Sequence, residues 1–382
     1  MDPDQSFAAT AAEFRGWVAA HAAELEPFRH EVAEELDLAI ARFRPLQQML
    51  WDAGWNRLGW SAEVGGLGGS PIHRFVVMEE LAAAGYANPA MLGSVEIIAP
   101  MLVRFAPHLA SVHVAAAVRG DVVWCQGFSE PDAGSDLGSL RTRAVADGAG
   151  FRITGQKMWS SNGHVASWCC VLARTGEPGS AYRGLTMFWL DMSSPGVRVV
   201  PTLCESGRSE TAELFFDDVF VPADHVVGEI GQGWSVVMYL MQFERGAYAW
   251  GRQAELHTEL GELVGIGPAD FPPNGAEVVG EAYLAVFALR SKCRDTIAEL
   301  IAGRDLGPEV SVDKILLSTA EQVVTESARR LLSPRLELSD DELAARWRNR
   351  WSFSRITTIY GGAIEVQRDL VAERVLGLPR VR

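Results

Sequence analysis

Positive charge is in short supply in this chain: 34 lysines and arginines face 49 aspartates and glutamates, a formal net charge of −15. No broad basic field exists to attract phosphates, which excludes nucleic-acid binding as a function class. The acidity favours solubility and leaves any anionic ligand to a few local arginines and backbone N–H groups. No run of about 18 apolar residues occurs, so no membrane span is expected. The opening MDPDQSFAAT lacks a basic stretch followed by an apolar one, so no secretory signal is read and a cytoplasmic location is expected. Cysteines are few and odd in number: Cys125, Cys169, Cys170, Cys204 and Cys293. They lack metal-ligand spacing. Cys169 and Cys170, adjacent on a strand, point to opposite faces and cannot chelate together. Buried thiols in a reducing compartment, with no metal site, are expected.

What is present is a texture that changes twice. With 382 residues, 48% hydrophobic and 22% charged, the chain can bury a large core in two or three domains. Residues 5 to about 118 read as helices. FAATAAEFRGWVAAHAAEL (7–25) has apolar positions at helical spacing behind Ser6 or Asp4 as cap, and IHRFVVMEELAAAG (72–85) stops on glycine. The period then becomes two. FRITGQKMWSS (151–161), SWCCVLART (167–175), GLTMFWLDM (184–192), VRVVPTL (197–203) and AELFFDDVFVP (212–222) are β-branched or aromatic runs bounded by turn residues. They predict an antiparallel barrel or sandwich, and disfavour a doubly wound nucleotide fold. After Gly233 the pattern is helical again, broken by one loop, GIGPADFPPNG (265–275). A last helix is predicted to begin after Gly361–Gly362 and to stop at GLP (377–379). The expected class is α+β, with a helical domain over 1–118, a β domain over 119–230 and a helical domain over 231–382.

Two glycine loops and one charge pair stand out. VGGLGGSP (64–71) resembles a dinucleotide loop, but it follows no strand and reads as a turn between helices. SEPDAGSDL (129–137) precedes the predicted strands and offers hydroxyls at Ser129 and Ser135. Its freed N–H groups can face an anion or a polar heteroaromatic edge, and its simpler reading is a turn capped by Ser and Asp side chains. No charged residue occurs from Ile230 to Phe243 or from Gly246 to Gly251, and Glu244 and Arg245 stand between those runs.

Five ordered motifs carry a resemblance: WCQGFSEPDAGSDL (124–137), GQKMWSSNG (155–163), FDDVFVP (216–222), GEIGQGW (228–234) and IYGGAIEVQRDL (359–370). In order and spacing they resemble the acyl-CoA dehydrogenase family, over most of the chain. The resemblance implies an N-terminal helical domain, a middle antiparallel β-barrel and a C-terminal four-helix bundle. It also implies FAD between barrel and C-terminal helices, with an acyl-CoA thioester stacked on the flavin. Gln126, Phe128 and Ser129 then match the strand end along the flavin's pyrimidine edge, Trp159 the aromatic covering it, and Ser161 the hydroxyl toward N5. Ser135 matches a serine near the cofactor and CoA phosphates. The alternative for Trp159, in a chain with 12 tryptophans, is barrel core. Electron-transfer flavoprotein is the implied electron acceptor, and a tetramer the implied assembly.

The resemblance breaks at the base. In many members a carboxylate immediately precedes the glycine of the C-terminal motif; here that position is Gly361. A second branch, including isovaleryl-CoA dehydrogenase-like enzymes and bacterial sterol side-chain enzymes, places the base on the first long C-terminal helix, directly before an arginine. That pair is Glu244–Arg245. Apolar surroundings raise a carboxylate's proton affinity, which suits a base that takes a proton from carbon. The competing reading pairs Glu244 with Arg245 or a distant charge, and adjacent helix positions make the direct pair geometrically poor. The implied reaction is α,β-dehydrogenation to the trans-2-enoyl-CoA, with Glu244 as base and flavin N5 as hydride acceptor. The Gly361 backbone N–H remains as a thioester oxygen donor, and Gly361 and Gly362 are expected to open a helix whose N–H groups suit a pyrophosphate. Arg245 is a candidate for the CoA side or for helix packing.

Further departures concern FAD. Ala363 stands where the family usually has threonine; no Arg-x-x-Phe-Gly follows the first C-terminal helix; and SPRLELSDDELAARWR (333–348) replaces Gln-x-x-Gly-Gly-x-Gly. These absences suggest that a different, related subunit completes the FAD site, as in paired-subunit sterol side-chain enzymes. Two alternatives are a non-catalytic companion subunit and a flavin monooxygenase on the same fold, which needs no α-proton base.

Overall fold

The structure is a computed structural model that describes residues 6–29, 35–177, 179–267 and 271–380. The alternative cap Asp4 and residues 268–270 of the predicted loop lie outside the described residues. Among the described residues the helices α1 (Phe7–Ala20), α2 (Ala22–Leu25), α3 (Leu36–Asp52), α4 (Ile72–Ala83), α5 (Ala90–Phe105) and α6 (Pro107–Arg119) come first. Ser6 caps α1 by accepting from the Ala9 N–H at 3.3 Å. Pro107 opens α6 and Gly120, at φ +87°, closes it, the usual placing of a residue without an N–H and one tolerant of the left-handed region. The glycine turn between α3 and α4 is a turn as expected: Gly65, Gly68 and Gly69 all have positive φ.

Eight strands follow: β1 (Trp124–Gly127), β2 (Arg143–Asp147), β3 (Gly150–Ser161), β4 (Trp168–Arg174), β5 (Leu185–Asp191), β6 (Val197–Leu203), β7 (Ser209–Pro222) and β8 (Val226–Val227). They form one sheet in the order β6-β7-β3-β2-β4-β5-β8, with β1 on β4. Pairing is antiparallel except that β1 runs parallel to β4 and β2 meets β4 at one parallel pair, Arg143 with Arg174. The first strand also precedes the 129–137 loop rather than following it. Alternate residues of β3, β4, β5 and β7 enclose one apolar core containing Ile153, Val171, Phe188, Leu190, Leu214 and Val219. Cys169 faces that core, and both it and Cys170 are buried free thiols.

The remaining helices are α7 (Gly233–Gly265), α8 (Gly275–Ile301), α9 (Val310–Leu332), α10 (Arg335–Leu338), α11 (Glu342–Ser354) and α12 (Ile364–Leu370). Asp341 caps α11 by accepting from the Ala344 N–H at 2.9 Å. Segment 333–348 is thus helical rather than a glycine loop, with Trp347 fully buried.

The chain divides into two compact units. One gathers Glu34–Ser70 and Pro89–Phe243: α3, α5, α6, the sheet and the start of α7. Within it, Gln47 Nε2 donates to the carbonyls of Ala117 and Val118, tying α3 to the end of α6. The other gathers α1, α2, α4 and the helices from Glu244 onward. There Thr10 Oγ1 and His73 Nδ1 lie 2.8 Å apart between α1 and α4, and the Trp250 indole N–H donates to the Phe75 carbonyl at 3.1 Å.

Candidate active site

In the first unit the candidate residues collect where β1 ends beside β3. Gln126 is half-buried, Phe128 buried and Ser129 half-buried. The Ser129 carbonyl accepts from the Met158 N–H at 2.9 Å, fixing that strand end to β3 one residue before Trp159. A buried ion pair reinforces the tie. Lys157 Nζ, fully buried on β3, donates to Glu130 Oε1 at 2.9 Å and to the Phe128 carbonyl at 3.0 Å. Glu130 also accepts from the backbone N–H groups of Arg141 and Thr142, at 2.6 and 2.8 Å. Burial pushes the Lys157 ammonium down to about 8, against the pull of Glu130. For Glu130 burial pushes upward, but Lys157 and the two N–H bonds outweigh it and hold the carboxyl below its ordinary value.

Trp159 does not fill the core. It is 59% exposed, and its φ of +59° lies in the left-handed region that a bulky residue rarely adopts. Ser161, two residues on, is exposed, as is Ser135 in the preceding loop. Ser160 Oγ and Thr211 Oγ1 are buried with no hydrogen-bond partner among the described residues. An indole face presented to solvent near the exposed Ser161 fits a flat aromatic ligand with a polar edge.

In the second unit the helix carrying Glu244 and Arg245 meets the C-terminal motif. Gly361 and Gly362 have φ of +62° and +105°. The last helix begins just after them, as expected: Ala363 is the N-cap and α12 starts at Ile364, with the two left-handed glycines outside it. Arg245 Nε donates to the Gly361 carbonyl at 3.3 Å. Burial lowers the affinity of Arg245 for its proton, opposed by the charge of Glu244. A Cβ at Gly362 would overlap Gln367 Nε2 at 2.3 Å and stand 3.4 Å from Arg245 Nη2.

Gly361 leaves a smaller gap, and the base candidate fills it. A Cβ there would stand 3.1 Å from Glu244 Oε1, 3.7 Å from Lys314 Cε and 3.9 Å from Lys314 Nζ. Glu244 is half-buried as a residue, and its Oε2 is shut off from solvent. Lys314 is 2% exposed; it donates to the Thr357 carbonyl and lies 3.9 Å above the Tyr360 ring. The Tyr360 hydroxyl lies 3.2 Å from that of Tyr248. Beyond them, Arg252 Nε donates to Glu321 Oε1 at 2.7 Å.

Glu130, Lys157, Lys314 and Gln367 escaped the sequence reading. A signal existed for two of them. Lys157 falls in phase with the inward residues Phe151 and Ile153, and Lys314 and Glu321 lie on the inward stripe Val310, Leu317, Val324, Ala328 of α9. Among the described residues no group of three metal-ligating side chains occurs, and no helix is long and apolar enough to cross a membrane.

Family models for the N-terminal, middle and C-terminal domains of acyl-CoA dehydrogenases match residues 7–108, 125–219 and 231–376. Acyl-CoA dehydrogenase IpdE1 of Mycobacterium tuberculosis is 36% identical, over 97% of each chain. Acyl-CoA dehydrogenase FadE34 of the same organism is 34% identical, over 94% of this chain and 50% of its own length. Among solved structures, the Tcur3481-Tcur3483 steroid ACAD superposes with a TM-score of 0.81 at 25% identity, over 100% of both chains. The ChsE4-ChsE5 complex of Mycobacterium tuberculosis shares the fold, with a TM-score of 0.80 at 24% identity over 100% of both chains.

Proposed function

The chain belongs to the acyl-CoA dehydrogenase family, and we propose that it performs the α,β-dehydrogenation of an acyl-CoA thioester with FAD, Glu244 serving as the base. The observation that carries this reading is the contact over Gly361. The Glu244 carboxylate stands beside the point where a side chain at 361 would begin, with Oε1 3.1 Å from the Cβ position. A carboxylate on α7 thus reaches the place from which other family members supply theirs.

The chain's own residues then act as follows. Glu244 accepts the α proton onto a carboxylate oxygen, and its partly desolvated setting favours the protonated product of that step. The Gly361 N–H is the proposed donor to the thioester oxygen, stabilising charge that develops as the proton leaves. Arg245 holds the Gly361 carbonyl and so fixes the peptide that bears this donor's neighbourhood. Trp159, Phe128, Ser129, Gln126 and Ser161 are the proposed FAD contacts, and Ser135 a contact for FAD or CoA phosphate; the exposed indole and the exposed Ser161 and Ser135 fit that role. Bound FAD would supply the acceptor for the β hydrogen as hydride. Electron-transfer flavoprotein is the proposed electron acceptor.

A second element of the proposal is that a related but different subunit completes the FAD site. Segment 333–348 is folded into α10 and α11 around buried Trp347, which leaves no glycine loop at the position of the family's Gln-x-x-Gly-Gly-x-Gly. Two structures with this fold are named for pairs of proteins.

The test is anaerobic titration of the flavin-loaded protein with straight, branched and steroid acyl-CoA esters. The expected result is flavin bleaching by at least one ester class, with the trans-2-enoyl-CoA as product. Hydroxylated product, or no bleaching by any class in the presence of the related subunit, would overturn the reading in favour of a monooxygenase or a non-catalytic subunit.

A further inference from the structure

Lys314 has no part in the reaction as described, yet it is one of the most deeply buried charges in the second unit. It lies on the inward stripe of α9 and is 2% exposed. An ammonium so placed is costly unless hydrogen-bonded and faced by opposite charge. Its hydrogen bond goes to a neutral acceptor, the Thr357 carbonyl, and its other neighbour is the Tyr360 ring, 3.9 Å below. The charged and titratable groups around it are few. From α7 come Glu244, Arg245 and the Tyr248 hydroxyl; from α9 itself Glu321; from the loop before α12 Tyr360. Arg252 takes up Glu321 directly, and Asp313, next along α9, is taken up by Lys292 at 3.0 Å. The carboxylate whose field acts most on Lys314 is that of Glu244. Both meet in one small space: Glu244 Oε1 and Lys314 Nζ lie 3.1 and 3.9 Å from the same point, the empty Cβ position of Gly361.

We propose that Lys314 is a positioning residue for the base: its ammonium, across Gly361 from the Glu244 carboxylate, keeps that carboxylate ionised and turned toward Gly361. The proposal rests on Glu244 being the base. The physical consequence has a sign. An opposite charge nearby favours the ionised carboxylate, so removing it leaves only Arg245 to oppose desolvation and Glu244 holds its proton to higher pH. Activity at the acid end then falls. Well above that limb Glu244 is ionised with or without Lys314, and a more basic carboxylate takes the α proton no less readily. The profiles of the wild type and a charge-deleted variant therefore converge or cross as pH rises. Burial pushes Lys314 itself down to about 8, so above that pH the wild type loses the same ammonium and comes to behave like the variant.

A merely structural lysine, tying residues 357–360 to α9, predicts something else: activity lowered by one factor at every pH. The experiment measures kcat against pH for wild type, Lys314→Met, Lys314→Gln, Lys314→Arg and Glu244→Gln, with whichever acyl-CoA ester bleaches the flavin. Glutamine keeps a donor for the Thr357 carbonyl without the charge and guards against misfolding of the methionine variant. The expected result is an acid limb displaced upward by about one pH unit or more in Met and Gln, a roughly tenfold loss at the acid end, with the acid limb of Arg like that of the wild type. A displaced limb that arginine restores supports the proposal. An unmoved limb in either uncharged variant, with Glu244→Gln inactive, overturns it and leaves the base assignment standing. An active Glu244→Gln instead removes the base assignment, and the proposal with it. An independent readout needs no Lys314 variant: infrared difference spectra of wild type against Glu244→Gln. A protonated Glu244 carboxyl band at about pH 7, where Lys314 is charged, contradicts the proposal.

Discussion

Gly361 shows what a missing side chain can do. Its φ of +62° is easy for glycine and strained for other residues, and its Cβ position lies 3.1 Å from Glu244 Oε1. Gly361→Ala is expected to fold with a loss of about 1–3 kcal/mol, read as a lowered denaturation midpoint, and to lower kcat by displacing the carboxylate. Retention of full kcat would show that the carboxylate does not need that space. Trp159 offers a second residue-scale prediction. Its exposed indole is held by a strained backbone for no packing gain, so Trp159→Ala is expected to weaken FAD binding about tenfold, the worth of one aromatic stack, with little change in stability. Fluorescence titration of the apoprotein with FAD reads this. Glu244 stood out in the sequence because uncharged runs flank it on both sides, while its role as base is what the family resemblance implies. Lys157 and Lys314 were not, since a lysine read alone is presumed solvated and only the phase of its strand or helix turns it inward.

The element that most needs support is the strand end at 126–129. It is short, its β1 pairing with β4 is parallel, and the turn after it is anchored by Glu130 and Lys157. Glu130→Gln leaves the Lys157 ammonium buried without its counter-charge and is expected to destabilise by about 3–5 kcal/mol in chemical denaturation. The pH dependence has a definite sign. Glu130 ionises below its ordinary value when folded, so its stabilisation is fully present above about pH 4.3, the unfolded value, and is lost as pH falls through the folded one. The gap between wild type and Glu130→Gln is therefore expected to close in acid; a gap independent of pH would mean that the carboxylate's charge is not what stabilises. Of the sheet, the five long strands were legible from their period, and β6 occupies the very segment VRVVPTL that predicted it. The β1–β4 pairing was not, because a parallel pairing between distant segments leaves no local pattern. The glycines at 361–362 were legible as a helix boundary, and α12 begins just after them at Ile364.

For the whole molecule, the helix–sheet–helix order was legible from the two changes of period, and the family from five motifs in sequence. The chain's assembly was not, since surfaces that meet a partner have no periodicity of their own. The absent Arg-x-x-Phe-Gly and the helical 333–348 segment leave part of the FAD site for a partner to supply in the proposed assembly. Expressed alone, the chain is expected to carry substoichiometric flavin, and co-expressed with a related acyl-CoA dehydrogenase subunit to carry it stoichiometrically, as read by absorbance and by mass in native conditions. Full flavin loading and turnover by the chain alone would remove the need for a second subunit. Whether the carboxylate beside Gly361 is the base is read by single-turnover reduction of the bound flavin, followed anaerobically in the wild type and in Glu244→Gln at equal FAD content. The account predicts a reduction rate roughly 10²–10⁴-fold slower in the variant, with acyl-CoA binding retained; flavin bleaching at the wild-type rate would contradict it.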